Sequence, residues 1–229
     1  MARPDIAERL AAVRDRLGAA ARAAGREPES IKLLAVSKRK PTEDVVAAYE
    51  AGQRDFGENY GQELLSKAAE LSHLSDLNWH HIGHVQRNKV RQLVPHVHLL
   101  HAVDRPKLVA EIDKRSHAAE RQTDVLVQVN IAGEDQKSGC APGDLGQLLE
   151  TIRACEHVRI RGLMTMPPYL DDPEQVRPYF RRLRELRDAH GGAAELPELS
   201  MGMSHDFAVA IEEGATIVRV GTAIFGARD

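Results

Sequence analysis

The chain alternates between short apolar runs and longer segments in which apolar residues recur three and four positions apart. The first short run, 33–36, is Leu-Leu-Ala-Val, and Lys38 follows it shortly before Pro41. Such a continuous run can be buried on both faces, as in a parallel strand, and a proline cannot continue a strand ladder. The pattern therefore predicts a strand that places Lys38 at its carboxyl end.

Seven further runs predict strands of the same kind, with a helical pattern in each interval. The eight predicted strands are 33–36, 54–57, 77–83, 96–103, 124–130, 158–164, 198–200 and 216–220. Residues 6–24 predict an additional helix before the first strand, and residues 205–213 a helix before the last one. Residues 191–197 read as a loop, and residues 223–225 supply the final helical turn.

Eight alternating strand and helix units favour the α/β class and, within it, a single (β/α)8 TIM-type barrel. The prediction assigns residues 1–229 to one domain, with residues 1–30 as an amino-terminal helix and lead-in. A doubly wound open sheet is the alternative arrangement of the same units. Its dinucleotide-binding version lacks support, because no Gly-x-Gly-x-x-Gly motif follows the first strand. A length of 229 residues, 42% of them hydrophobic, suits one large core.

Charge and composition restrict the partners and the compartment. The net charge of -3 and a pI near 6.4 give no overall electrostatic attraction to nucleic acid or to a membrane surface. The amino terminus lacks the apolar region of a signal peptide, and no apolar segment reaches the length of a transmembrane helix. Cys140 and Cys155 are too few for a disulfide framework or a thiolate zinc site. We therefore expect a soluble cytoplasmic protein.

Three histidines, His80, His81 and His84, form a local cluster of the kind that can hold a metal ion. The cluster lacks the glutamate of a His-Glu-x-x-His helix, and Gly83 interrupts it. The sequence therefore predicts no metal here. It favours packing or polar contacts in the barrel mouth for these side chains.

The loops after the seventh and eighth strands have the composition of an anion site. In barrels of this kind the loops that follow the strands converge, and phosphate is often bound after strands seven and eight. Here Ser204 follows the seventh strand, while Gly221 and Thr222 follow the eighth. Glycine lets backbone amides approach an anion, and the hydroxyls can donate hydrogen bonds. Helix capping by Ser204 and an ordinary turn at Gly221 are the alternatives.

A phosphorylated aldehyde would use these loops and the lysine of the first strand together. It needs an amine for a Schiff base, donors for its phosphate and a group that faces its ring nitrogen. Pyridoxal 5'-phosphate, covalently bound on Lys38, is therefore the predicted cofactor. Desolvation near Arg39 and Arg219 is expected to lower the pKa of Lys38 from about 10.4. An arginine at the pyridine nitrogen keeps that nitrogen unprotonated, which weakens the cofactor as an electron sink.

Ordered motifs from about residue 30 to the end resemble the pyridoxal phosphate homeostasis proteins, the YggS/PROSC family. The motifs are Val36-Ser37-Lys38-x-Lys40-Pro41, Gly57-Glu58-Asn59-Tyr60, His80-x-Ile82-Gly83-x-x-Gln86-x-Asn88-Lys89, Val129-Asn130-Ile131, Lys137-Ser138-Gly139, Gly162-Leu163-Met164, Met201-Gly202-Met203-Ser204-x-Asp206 and the closing 219–226. The departures are modest: His81 stands where the family usually has phenylalanine, and His84 and Arg87 are variable loop positions.

The resemblance implies a barrel like the amino-terminal domain of alanine racemase, without the second domain of that enzyme. It also implies the cofactor on Lys38 and a set of contacts around it. Those contacts are Asn59 near the ring, Arg219 at the ring nitrogen, and Ser204, Gly221 and Thr222 at the phosphate.

Two functions remain open at the level of sequence. The resemblance implies a carrier that holds pyridoxal 5'-phosphate and regulates its supply to apoenzymes. We expect it to be a monomer or weak dimer. The alternative is an amino-acid racemase of the alanine racemase type, in which a second acid or base acts on the other ring face. In alanine racemase a tyrosine from the extra domain of the neighbouring subunit has that role. We expect no such domain after Gly226, and Tyr60 and Tyr169 are the only tyrosines expected near the mouth, so the carrier is favoured.

Overall fold

A computed structural model describes residues 3–134, 136 and 138–227, so that Lys137 of the 137–139 motif lies outside the described residues. Eight parallel strands form a closed barrel in which each pairs with the next and the last pairs with the first. The strands are β1 Lys32–Val36, β2 Asp55–Glu58, β3 Asn78–His81, β4 Val97–Val103, β5 Thr123–Gln128, β6 Val158–Met164, β7 Glu198–Met203 and β8 Ile217–Val220. The predicted (β/α)8 barrel is confirmed, and the open sheet is wrong.

Helices separate the strands and surround the barrel. They are α1 Pro4–Ala23, α2 Thr42–Glu50, α3 Gly61–Glu70, α4 Val90–Leu93, α5 Pro106–Ala118, α6 Leu145–Arg153, α7 Arg177–Ala189, α8 Gly192–Glu195, α9 Phe207–Glu212 and α10 Thr222–Phe225. Short 3-10 turns precede several of them, such as 87–89 before α4 and 173–176 before α7.

The barrel has two apolar layers because side chains along a strand alternate between its faces. In β1, Leu34 and Val36 face the barrel interior, where they pack with residues of other strands and with Ile82, directly after β3. Leu33 and Ala35 face outward and pack in the layer between the strands and the helices. Because β1 is covered on both sides, its continuous apolar run has the pattern expected of a parallel strand.

The amino-terminal helix α1 packs against α2, α9 and α10, across the junction between the last and first units of the barrel. Its buried side chains, spaced three or four residues apart, are Ile6, Leu10, Val13, Leu17 and Ala21. Each large one contributes about 1.5–3 kcal/mol by leaving water. Within the described part of the chain, no helix, α1 included, has the length and apolar character needed to cross a membrane.

Three predicted boundaries near the carboxyl terminus are wrong. Strand β7 continues past Ser200 to Met203, because Met203 pairs with Arg219 of β8 after a shift in register. Helix α9 begins at Phe207 rather than at residue 205, since 204–206 form a turn. Residues 191–197 are not all loop, because α8 begins at Gly192, directly after the positive φ of 112° at Gly191.

Candidate functional site

A cavity of about 310 Å³ opens at the carboxyl ends of the strands. All six residues singled out from the sequence line it, namely Lys38, Asn59, Ser204, Arg219, Gly221 and Thr222. They come from the ends of β1, β2, β7 and β8, which the closed barrel brings to one edge. The fold brings these six residues together, since Lys38 and Asn59 precede the other four by more than 140 positions in the sequence.

The backbone around Lys38 is anchored on both sides. Before it, the buried Ser37 donates from its hydroxyl to Glu58 Oε1 over 2.7 Å, and Lys67 Nζ donates to the Ser37 carbonyl and to Glu58, each over 2.8 Å. After it, the Arg39 backbone N–H donates to Glu63 Oε1 over 2.6 Å. These contacts hold the half-buried Lys38 at the cavity wall.

Burial raises the pKa of Glu58 above its usual value, while Lys67 and Ser37 oppose that shift. The other carboxyl oxygen of Glu58, Oε2, has no partner among the described residues. A buried ion pair with one unsatisfied oxygen is costly, and removal of either partner leaves an isolated charge. The pair therefore serves to fix the turn that carries Lys38 more than to stabilise the fold.

Only one of the two arginines expected beside Lys38 lines the cavity. Arg39 has a positive φ of 58°, which turns it outward. Its guanidinium lies 5.6 Å from the centre of the Tyr60 ring and donates to the Tyr60 hydroxyl over 3.0 Å. Arg219 does line the cavity. Of the two arginines, Arg219 alone therefore places its charge beside Lys38 in the cavity wall.

Arg219 enters the cavity wall from the barrel interior and is 3% exposed. Its Nη1 donates to Ser200 Oγ over 2.7 Å, and its Nη2 donates to the Thr165 carbonyl over 2.9 Å. Burial lowers the pKa of Arg219 to about 10, and Asp206 opposes the shift. The guanidinium therefore stays charged at neutral pH. Because a guanidinium has five N–H donors, others remain to face the cavity.

The loops after β7 and β8 contact each other directly. The Gly221 backbone N–H donates to Ser204 Oγ over 3.3 Å. A Cβ at Gly221 would lie 3.2 Å from the Val36 carbonyl oxygen, so a side chain here would crowd the end of β1. The capping alternative for Ser204 is wrong, because the residue that precedes α9 is Asp206, whose carboxylate accepts from the Met203 N–H over 2.6 Å. Ser204 and Thr222 thus present hydroxyls at one side of the cavity.

The donors around the cavity suit a small ligand with two acceptor ends. Ser204 and Thr222 supply hydroxyl donors for an anionic group, and Arg219 supplies donors for a further acceptor. Lys38 lines the same space and supplies the only amine side chain among its lining residues. An amine of this kind adds to an aldehyde once it is deprotonated. The arrangement is therefore fitted to a phosphorylated aldehyde with a ring acceptor.

The three clustered histidines point in different directions. His80 lies inside the barrel, where it contacts Asp55 and His101. His81 and His84 line a neighbouring cavity of about 340 Å³, and Asn59 lines both cavities. Across the described residues, no three histidine, cysteine or acidic side chains are grouped as metal ligands would be. The contacts of His80 are polar, as expected, but they lie in the barrel interior rather than at its mouth.

Several buried polar residues near the site received no role from the sequence. Lys67 looks like an ordinary residue on the face of α3, and the role of Ser200 becomes visible only once β7 is known to continue past it. His101 carried a usable signal, because it interrupts the apolar residues of 99–103, the fully buried part of β4. A polar residue in such a run requires a partner, and a search for one leads to His80 and Ser200.

His81→Phe is expected to make the protein more resistant to acid. His81 is 1% exposed, burial lowers its pKa to about 4, and its Nδ1 has no partner among the described residues. The unfolded chain protonates this ring below about pH 6.5, whereas the folded protein does so only near pH 4. The unfolded state binds more protons within that window, so the free energy of unfolding falls as the pH decreases through it.

The contribution of His81 to this loss is about 2 kcal/mol between pH 7 and pH 5. Urea unfolding at both pH values measures it, with the exposed His73→Asn as the matched control. The buried His80 and His101 keep part of the pH dependence in every variant. An unchanged difference between the two pH values in His81→Phe would show that folding does not lower the pKa of this ring.

Comparison with known proteins identifies the family. Residues 9–229 match the family model described as alanine racemase, N-terminal domain. A pyridoxal phosphate homeostasis protein of Aquifex aeolicus is 50% identical over 223 residues, which cover 96% of this chain and 97% of that protein.

Solved structures agree with this assignment. PipY of Synechococcus elongatus, in a structure with PLP bound, is 38% identical with a TM-score of 0.83 and covers 96% of this chain and 100% of its own. The alanine racemase of Corynebacterium glutamicum is 17% identical, with a TM-score of 0.70 over 98% of this chain and 61% of its own, so it shares the fold alone. The chain therefore belongs to the family of pyridoxal phosphate homeostasis proteins, on a barrel of the alanine racemase N-terminal domain type.

Proposed function

We propose that this chain binds pyridoxal 5'-phosphate through a Schiff base on Lys38, and that it holds the cofactor and regulates its supply to apoenzymes. One observation carries the proposal: Lys38, two hydroxyls and a buried guanidinium line a single cavity. The PLP-bound PipY structure and the names of the relatives support the choice of cofactor. When bound, pyridoxal 5'-phosphate supplies an electrophilic aldehyde and an aromatic ring that can take up electrons.

The residues of the chain divide the binding between them. Ser204, Thr222 and the backbone at Gly221 hold the phosphate by hydrogen bonds. Lys38, once its ammonium group has lost a proton, would hold the aldehyde carbon through a C=N bond, and the two hydrogens of the neutral amine would leave with the aldehyde oxygen as water. The anchored turn around Lys38 keeps that nitrogen at the cavity wall. Asn59 lines the same cavity, where it would lie near the ring.

Arg219 sets the electronic character of the site. A charged guanidinium donates a hydrogen bond to the ring nitrogen and has no proton to give up at neutral pH. The ring nitrogen consequently stays unprotonated, and the cofactor withdraws electrons less strongly than it would beside a carboxylic acid. A protein that stores the cofactor benefits from this choice, since weak electron withdrawal limits unwanted reactions with amino acids.

The alternative function, racemisation of an amino acid, requires a second acid or base at the cavity. Tyr169 lines the cavity and is 71% exposed, with its ring 5.5 Å from that of His205. A tyrosine this exposed is not held in the fixed position that an acid or base at the ring needs. Lys38 is the only lysine in the cavity wall. These residues favour storage over turnover.

The experiment that separates the two functions measures exchange of the α-hydrogen with solvent deuterium. The loaded protein and free pyridoxal 5'-phosphate are incubated with a panel of amino acids in deuterium oxide. The proposal predicts exchange no faster than with the free cofactor. Exchange well above that level, lost in Tyr169→Phe, would establish the racemase instead. Transfer is tested separately, by the recovery of activity when the loaded protein is mixed with a pyridoxal phosphate-dependent apoenzyme.

Compartment and assembly complete the proposal. We place the chain in the cytoplasm, where such apoenzymes are found and where Cys140 and Cys155, both free, stay reduced. A monomer or weak dimer remains the expected assembly. Sedimentation of the purified protein at several concentrations measures it.

Ser204→Ala combined with Thr222→Val is expected to weaken binding of pyridoxal 5'-phosphate by a few kcal/mol at most. The double variant removes two hydroxyl donors from the anion and leaves the backbone donors in place. Hydrogen bonds to charged groups contribute roughly 1.5–3 kcal/mol each. Equilibrium titration by absorbance measures the change. Ser30→Ala with Thr151→Val, whose hydroxyls bond to nearby carbonyls outside the cavity, is the matched control. Equal affinity in both double variants would refute the phosphate assignment.

A further inference from the structure

A chain of hydrogen bonds crosses the barrel interior and ends on Arg219. Asp55, the first residue of β2, contacts His80 Nε2 over 3.0 Å, and His80 Nδ1 contacts His101 Nε2 over 2.9 Å. His101 Nδ1 contacts Ser200 Oγ over 2.9 Å, and Ser200 Oγ accepts from Arg219 Nη1 over 2.7 Å. The chain therefore joins the amino-terminal end of β2 to the wall of the cavity.

The protonation of this chain follows from its two ends. The Asp55 carboxylate can only accept, so His80 Nε2 carries a hydrogen and, in the neutral ring, His80 Nδ1 accepts. His101 Nε2 must then donate, which leaves His101 Nδ1 as an acceptor. Ser200 must consequently donate its hydroxyl hydrogen to His101. Its lone pair is left for Arg219, which can only donate.

In every hydrogen bond between Arg219 and Asp55, the donor is therefore on the side of Arg219 and the acceptor on the side of Asp55. Burial lowers the pKa of both His80 and His101, which agrees with two neutral rings. The aligned dipoles place their negative ends near the guanidinium and their positive ends near the carboxylate. Among the described residues of the protein, Arg219 forms no ion pair at 4.0 Å or less. The aligned dipoles therefore compensate for part of the cost of burying its charge.

We propose that Asp55, His80, His101 and Ser200 are positioning residues that hold the Arg219 guanidinium in one donor orientation at the cavity. Ser200 Oγ and the Thr165 carbonyl fix two of its nitrogens, which leaves its remaining donors for an acceptor in the cavity. The ligand class is a ring with an unprotonated nitrogen. The identity of that ring rests on the function proposed above, whereas the hydrogen-bond chain does not.

The first test uses the cofactor-free protein and measures imidazole ¹⁵N chemical shifts at neutral pH. His80 and His101 are both expected to carry a hydrogen on Nε2 alone. In Asp55→Asn the new amide can donate as well as accept, so a second tautomer is expected to appear at both rings. A doubly protonated ring, or a hydrogen on His101 Nδ1, in the wild-type protein would overturn the donors and acceptors assigned to these hydrogen bonds. Unchanged tautomers in Asp55→Asn would remove Asp55 from it.

The second test measures binding and absorbance with pyridoxal 5'-phosphate as the probe. Ser200→Ala is expected to raise the dissociation constant about tenfold and to shift the absorption maximum of the bound probe. Ser200→Thr keeps the hydroxyl and restores both values towards those of the wild type. Ser116→Ala is the matched control, because Ser116 is a fully buried serine hydrogen-bonded to Thr123 and lies on α5. Ser116→Ala is expected to leave the dissociation constant and the absorption maximum unchanged.

The outcomes separate this inference from the proposed function. Ser200→Ala with the binding and spectrum of Ser116→Ala would overturn the positioning role, and so would Ser200→Thr if it failed as Ser200→Ala does. If the wild-type protein binds no pyridoxal 5'-phosphate, the proposed function fails. The tautomer measurement still decides whether the hydrogen bonds run from Arg219 to Asp55 as assigned. Thermal unfolding of each variant shows that the fold is retained.

Discussion

Lys38→Ala removes every trace of a borohydride-reducible adduct with pyridoxal 5'-phosphate and leaves the barrel folded. The change deletes the only amine side chain in the cavity wall, so no other residue there can form the Schiff base. The phosphate and ring contacts survive, and weak reversible binding therefore persists. Absorbance of the protein after desalting measures the loss, and circular dichroism measures the fold.

Lys40→Ala is the matched control for this prediction. Lys40 lies two positions along the same turn, but its ammonium donates to the Ala227 carbonyl over 2.7 Å and it does not line the cavity. The control is expected to bind and to be reduced as the wild type is. If Lys38→Ala kept the adduct while Lys40→Ala lost it, the anchor would be Lys40 and the cavity would be wrongly assigned.

Gly162→Ala is expected to be the most damaging single methyl group added to the barrel. Gly162 lies in β6, where the register with β5 shifts, and has a φ of 151° that side chains rarely adopt. A Cβ there would lie 1.9 Å from the carbonyl oxygen of Glu198, its partner in β7. Backbone strain and overpacking each cost about 1–3 kcal/mol, so the free energy of unfolding falls by about 3 kcal/mol or more.

Gly143→Ala is the control for the loss of a glycine. A Cβ at Gly143 would meet nothing within 4 Å, and its φ is not in the positive region. Urea denaturation of the two variants measures the difference in unfolding midpoint. A Gly162→Ala protein as stable as Gly143→Ala would mean that β6 and β7 can separate locally without breaking the barrel.

The sequence predicts this fold well because a parallel barrel repeats one simple unit. Strands such as β1, β5 and β8 are covered on both sides and appear as largely apolar runs, and a glycine or proline that ends a helix or strand is a local signal. Strands β2 and β3 depart from this pattern, since they read Asp-Phe-Gly-Glu and Asn-Trp-His-His, and β7 has the least predictable end. Its Ser-Met-Gly-Met end has neither β-branched residues nor a continuous apolar run, and its last pairing, between Met203 and Arg219, depends on a neighbouring strand.

The residues that line the candidate site could be picked out from the sequence as well as the strands could. Lys38, Ser204 and Thr222 lie beside strand ends, where local sequence already indicates a ligand, and the barrel then brings them together. The contacts behind them were not predictable, although His101 stands out as a polar residue in a buried apolar stretch. His101 and Ser200 meet across the interior from β4 and β7, about 100 residues apart, and no local pattern records such a contact.

Peptide mapping after borohydride reduction identifies the lysine that binds the cofactor. The purified protein is loaded with pyridoxal 5'-phosphate, reduced, digested and analysed by mass spectrometry. We expect the added mass on the peptide that contains Lys38 and on no other lysine. Modification at a different lysine, or an unmodified Lys38 peptide from protein that absorbed as loaded before reduction, would contradict it.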